Sequence, residues 1–250
     1  MLSDPMFYLA CIPAVLLFGI AKGGFGGAVG VLAVPLMALV MSPTQAAAIM
    51  LPILVVMDLL VIKAYWGVYD KRALQVLLPG AVIGILVGYF LAETMNDNYM
   101  RILIGVVSLV FGAQSLLRLQ SHASGRHNTL AGTFFGALAG FTSFSIHSGG
   151  PPFAMYLMPK KLSPVLYAGT SGIFFASVNA MKLAPYAMLG QFNTQNLLYA
   201  LVLVPLAPVG VKVGHYLVKH TDPTLYYRII SFFLMVVGVK LLWDGFTGIQ

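Results

Sequence analysis

Charge is what this chain has least of: seven acidic and fourteen Lys or Arg side chains in 250 residues, 8% of the whole. That is too few to cover a globular surface, and with 59% apolar residues and a mean hydropathy of +0.90 it excludes a soluble domain. Cysteine is almost absent too. The single Cys11 rules out an internal disulfide and any metal site built from a cysteine cluster, and no metal or other cofactor is expected. Acidic residues number half the basic ones, leaving a net charge of +7. The Lys and Arg are scattered between apolar runs instead of gathered on one face, which excludes a nucleic-acid footprint and makes the charge topological. Leu9-Ala10-Cys11 faintly resembles a lipidation signal, but no basic region precedes it and the apolar run continues to Ile20. It reads as an uncleaved first transmembrane segment.

What the chain does have is long apolar runs, at roughly 6–21, 28–41, 46–64, 75–92, 100–117, 130–146, 151–158, 165–184, 197–217 and 226–243. A crossing takes about 20 apolar residues. The second and seventh runs are too short, and each follows a Gly-rich break: Lys22-Gly23-Gly24-Phe25-Gly26-Gly27 and Ser145-Ile146-His147-Ser148-Gly149-Gly150-Pro151-Pro152. Irregular backbone is tolerated at membrane depth only inside protein, so these runs are expected to be half-helices or re-entrant segments lodged in a bundle.

The two breaks sit at matching places in two halves. Gly19 matches Gly140, Ser42-Pro43 matches Ser163-Pro164 and Asp58 falls on Asn179, all at an offset of 121. Pro79, Gly84, Gly88 and Leu91 match Pro205, Gly210, Gly214 and Leu217 at an offset of 126. The chain is therefore read as an all-α polytopic membrane protein made of two repeats, 1–118 and 130–250, joined by a polar, basic linker at 119–129. Each repeat is expected to hold a broken or re-entrant helix pair and three spanning helices. Lys63, Lys71, Arg72, Arg118, Arg126, Lys160, Lys161 and Lys219 fall on one side of the resulting topology, and Glu93 and Asp97 on the other. The basic side is cytoplasmic, which places the linker inside and both termini outside. Equivalent loops land on opposite faces, so the repeats are inverted, an arrangement that holds small ligands at mid-membrane depth between broken helices.

Candidate site residues follow from the breaks. Gly23, Gly24, Gly26 and Gly27 either let helices pack closely or let backbone approach a ligand, and spacing alone weighs the two equally. The balance tips toward a ligand because a helix starts after each break, presenting free N–H groups and a positive dipole end that suit an anion. In the second break Ser145, His147 and Ser148 offer donors to an oxyanion, Gly149 and Gly150 open the backbone, and Pro151 suits the first turn of a half-helix. The competing reading has the serines bonded to carbonyls of their own helix, and that reading is preferred for Ser143. Lys22 either neutralises an anion or snorkels to the interface. Asp58, deep in the third run, either pairs with Lys22 or Lys182 or titrates as a proton-coupling group; Asn179 and Lys182 share a face one turn apart and join it as coupling or gating candidates.

These residues resemble the TauE/SafE family of sulfite and organosulfonate exporters: the segment from Gly19 to Gly30, then Pro35 and Ser42-Pro43, and the stretch from Gly140 to the Gly-Gly-Pro-Pro ending at Pro152. The resemblance covers nearly the whole chain. It implies a secondary transporter for a small sulfur oxyanion in the bacterial inner membrane, with proton-motive coupling, and not an enzyme. The expected partners are that anion and membrane lipid, with a homodimer left open. The alternatives are an anion channel or a non-transporting subunit and, further off, an intramembrane enzyme using Ser145 or Ser148 with His147; adjacent residues point apart, which disfavours that pair. No P-loop for ATP is present.

Overall fold

A computed structural model of the chain describes residues 4–24, 30–92, 94, 96–116, 128–160, 162–217 and 223–248. Among them every regular element is helical. The long helices are α1 Pro5–Gly24, α3 Pro43–Ala64, α4 Lys71–Ala92, α5 Asp97–Leu116, α6 Thr129–Ile146, α8 Pro164–Met188 and α11 Pro223–Thr247, with α9 Thr194–Leu203 and α10 Leu206–Leu217 meeting at a bend of 43°. Two short helices, α2 Ala33–Met37 and α7 Gly150–Leu157, stand where the short apolar runs are, α2 behind a 3-10 turn at Gly30–Leu32. Helices α1, α3, α4 and α6 are long and apolar enough to cross a membrane, and the bent pair makes a fifth such unit. α5, α8 and α11 have the length, at 20, 25 and 25 residues.

Local chemistry explains where helices begin. Ser42 and Ser163 occupy the N-cap positions of α3 and α8, each accepting a backbone N–H with its hydroxyl and each followed by a proline in the first turn. Asn128 and Asn193 cap α6 and α9 in the same way. Proline also explains a difference between matched runs. α4 continues through Pro79 as one helix, whereas its counterpart contains Pro205 and Pro208 within four residues and breaks into α9 and α10.

The helices associate through small residues, as expected where lipid supplies no hydrophobic drive between them. α1 lies along α10 and α4 along α6, while α3 packs on α8 and α5 on α11. A Cβ added at Gly19 would come 2.8 Å from the Gly210 Cα. One at Gly84 would overlap the Ala137 carbonyl oxygen, and one at Gly140 that of Ala81. Two apolar clusters result, one around Phe7, Phe18, Met50 and Leu54, the other around Leu77, Phe153, Phe174 and Phe175. α3 contributes to both, and the polar residues of the chain's centre lie where they meet.

Candidate functional site

Lys22, in the last turn of α1, forms a buried ion pair with Asp58 of α3. Asp58 accepts that bond at Oδ1, and its Oδ2 accepts 2.6 Å from the Asn179 amide of α8, so both carboxylate oxygens are engaged. The two residues matched at the offset of 121 are thus bonded to each other.

Lys182, one turn further along α8, is completely buried. Its ammonium donates to the Ser143 carbonyl at 2.9 Å, the Ser143 hydroxyl at 3.0 Å and His147 Nδ1 at 2.8 Å. Those three bonds use all three N–H groups, and none goes to a carboxylate. On the far side of the imidazole, His147 Nε2 lies 2.9 Å from the Ala47 carbonyl of α3. A carbonyl only accepts, so Nε2 carries the hydrogen and Nδ1 is the acceptor for Lys182. His147 is held there by a left-handed backbone, φ 53°, at the C-cap of α6, the one non-glycine residue with positive φ among those described. The next residue, Ser148, is fully buried with a hydroxyl that has no partner. A buried hydroxyl with no partner is a donor left without an acceptor.

A small cavity joins these groups, lined by Phe18, Lys22, Leu54, Ser143, His147, Gly150, Phe175 and Asn179. A larger and mainly apolar cavity lies next to it, with Ala47, Met100, Phe141, Phe144, Ser145, Tyr186 and Leu189 in its walls. The partition between them is the His147 ring, which stacks on Tyr186 at 6.1 Å between centroids, and Tyr186 itself, whose hydroxyl donates to the Phe144 carbonyl at 2.5 Å.

The residues singled out in the sequence separate into groups. Lys22, His147, Gly150 and Asn179 line the small cavity, Asp58 and Lys182 complete the polar cluster, and Ser148 is buried with its hydroxyl unpartnered. Ser145 faces the larger cavity and donates to the Phe141 carbonyl at 3.0 Å, a bond within its own helix. Gly23 packs against the Val211 carbonyl of α10, and a Cβ at Gly149 would lie 2.6 Å from the Ala139 oxygen, so both serve helix packing. Gly24 closes α1 and Pro151 sits in the first turn of α7. Gly26 and Gly27 lie outside the described residues, as do most of the linker, Glu93, Lys161 and Lys219. Ser143 is the site residue that sequence reasoning passed over. Its signal was present, because it stands 121 positions after Lys22.

The cluster sets two buried lysines against one carboxylate, and the carboxylate is paired with Lys22 alone. With both lysines protonated the cluster carries one positive charge in excess, and burying such a charge is costly unless a counter-charge joins it. A serine hydrolase arrangement is not formed, since both His147 nitrogens are engaged by Lys182 and Ala47 and neither meets Ser148. Among the described residues no three His, Cys, Asp or Glu side chains gather to hold a metal.

The model of the family described as sulfite exporter TauE/SafE matches residues 11–241. A probable inner membrane transporter protein TsaS of Comamonas testosteroni is 24% identical over 181 residues, covering 69% of this chain and 73% of that protein. No solved structure matches. A family match running from α1 to α11 over an all-helical, membrane-spanning chain means that the protein belongs to the TauE/SafE family of membrane transporters.

Proposed function

We propose that this protein exports a small sulfur oxyanion, sulfite or a short organosulfonate, across the bacterial inner membrane by alternating access, drawing on the proton-motive force. The observation that carries the reading is Lys182: a fully buried ammonium bonded only to neutral groups, on Ser143 and His147 in the wall of a cavity that an ion-paired lysine also lines. The excess charge suits an oxyanion, and Gly150, in the cavity wall at the start of α7, adds one backbone N–H, the prolines that follow having none.

Alternating access rests on the proposed inverted halves, 1–118 and 130–250, with the linker cytoplasmic and both termini extracytoplasmic. The exchange of partners supports it: α1 of one half packs on α10 of the other, and α6, the counterpart of α1, packs on α4, the counterpart of the α9–α10 pair. Rocking one half on the other about the Asp58–Asn179 contact would open the cavity to each side in turn. An inside-negative membrane potential favours anion export, by about 2.3 kcal/mol per net charge per 100 mV.

The test is counterflow in proteoliposomes. A carrier exchanges labelled external sulfite for internal sulfite saturably and without net current. Purely conductive flux would point to a channel instead, and absence of any sulfite movement would contradict the export reading.

A further inference from the structure

The His147 ring joins the two cavities. Its Nε2–H is bonded to the carbonyl of Ala47, a wall residue of the larger cavity, while its Nδ1 meets Lys182 and the ring lines the smaller one. It also joins three elements, since the ring rises from the end of α6, is held by α3 at one nitrogen and by α8 at the other. A strained left-handed backbone keeps it there, the kind of outlier that marks a working position.

Charge balance says what this ring can do. Lys22 lines the free cavity, and Asp58 and Lys182 are bonded to its wall residues; with both lysines protonated the cluster is positive by one, and a divalent oxyanion would turn it negative by one. Anions in a buried site favour protonation of a neighbouring base, and one more proton restores neutrality. The titratable and charged groups around the ring are Lys22 from α1, which lines the same cavity, Asp58 from α3, which is bonded to Lys22, and Lys182 and Tyr186 from α8, which contact it, while α6 contributes the hydroxyl of Ser143. Asp58 is poorly placed to take the proton. Its two oxygens are held by Lys22 and Asn179, so protonating it would strand Lys22. Tyr186 is already a donor to Phe144.

We infer that His147, in contact with Lys182, is the proton site of transport, resting on the reading of the small cavity as an anion site. When a divalent oxyanion enters, a proton from bulk water reaches the unprotonated ring nitrogen from the small-cavity side and forms the Nδ1–H bond. The Lys182 N–H···Nδ1 hydrogen bond breaks in the same step, and that N–H turns to an oxygen of the anion. The proton then travels with the anion and leaves with it, so one net negative charge moves outward per divalent anion, and it is the membrane-potential component of the proton-motive force that drives export. Asp58, held by Lys22 and Asn179, acts as a lock on Lys22.

The full chain in lipid nanodiscs, with its histidine rings labelled with nitrogen-15, tests this with sulfite as probe, at a pH well above sulfite's own second ionisation. Free protein should show His147 as the neutral Nε2–H tautomer, and sulfite-saturated protein should show it as imidazolium. Calorimetry in buffers of different ionisation enthalpy should give about one proton taken up per sulfite bound. His147→Gln should bind more weakly and take up none. Binding heat with a ring that stays neutral, or undiminished proton uptake in His147→Gln, overturns the inference and leaves the anion site standing. Absence of binding heat in the wild-type protein contradicts the anion-site reading itself, and the inference falls with it. The ring signal is read in wild-type protein, so it decides the matter even where the variant fails to fold.

Discussion

Lys22 and Lys182 are the two buried lysines of the central cluster, and they are bonded in opposite ways. Lys22 meets a carboxylate whose second oxygen is held by an amide, a closed arrangement with no demand left over. Lys182 meets a carbonyl, a hydroxyl and an imidazole nitrogen, which satisfy its hydrogen-bond geometry but not its charge. A paired ion in a dry interior ties helices together. An ion given dipoles but no counter-charge keeps an electrostatic demand that a mobile anion can meet. The same residue type in the same cluster thus ties helices in one place and, in the proposed function, serves the ligand in the other.

Substitutions should separate those roles. Asp58→Ala removes the counter-charge of Lys22 and should cost the most, about 3–5 kcal/mol in a denaturation series in detergent. Pairing Asp58→Leu with Lys22→Met removes both ions together and should return most of that loss; a double variant as unstable as Asp58→Ala would show that the pair is not what the single change breaks. Lys182→Met should behave in the opposite sense. Its stability should equal or exceed that of the wild type, because no opposite charge is stranded, while sulfite affinity falls by about 30-fold or more. Ser148→Ala should give the smallest effect. Removing an unpartnered hydroxyl leaves stability unchanged within about 0.5 kcal/mol, and loss of one charge-assisted hydrogen bond weakens sulfite binding by about 10-fold or somewhat more. A strongly destabilised Ser148→Ala would mean the hydroxyl already has a structural partner.

Much of this architecture was legible in the chain. The lengths of the apolar runs, the Ser-Pro caps and the Gly-rich breaks located the helices, because caps and breaks are local chemistry. The offset of 121 put Asp58 on Asn179, and the two residues touch. Three things were not legible, each for a physical reason. Glycine spacing is the same for helix packing and for ligand approach, so only the position of Val211 showed that Gly23 serves packing. Serines in membrane helices bond to their own carbonyls by default, which holds for Ser145 but not for Ser143, whose hydroxyl accepts from Lys182. The break between α9 and α10 depended on a second proline, Pro208, that the matched run in α4 lacks.

The central claim is that the charge on Lys182 holds the anion, and sulfite binding by wild-type protein compared with Lys182→Met measures it directly. Thermal unfolding in detergent, with and without sulfite, reads stability and binding in one experiment. The account predicts that sulfite raises the unfolding temperature of the wild type and, at the same concentration, raises that of Lys182→Met far less, the variant being at least as stable as the wild type without ligand. An equal sulfite-induced rise in both would contradict it.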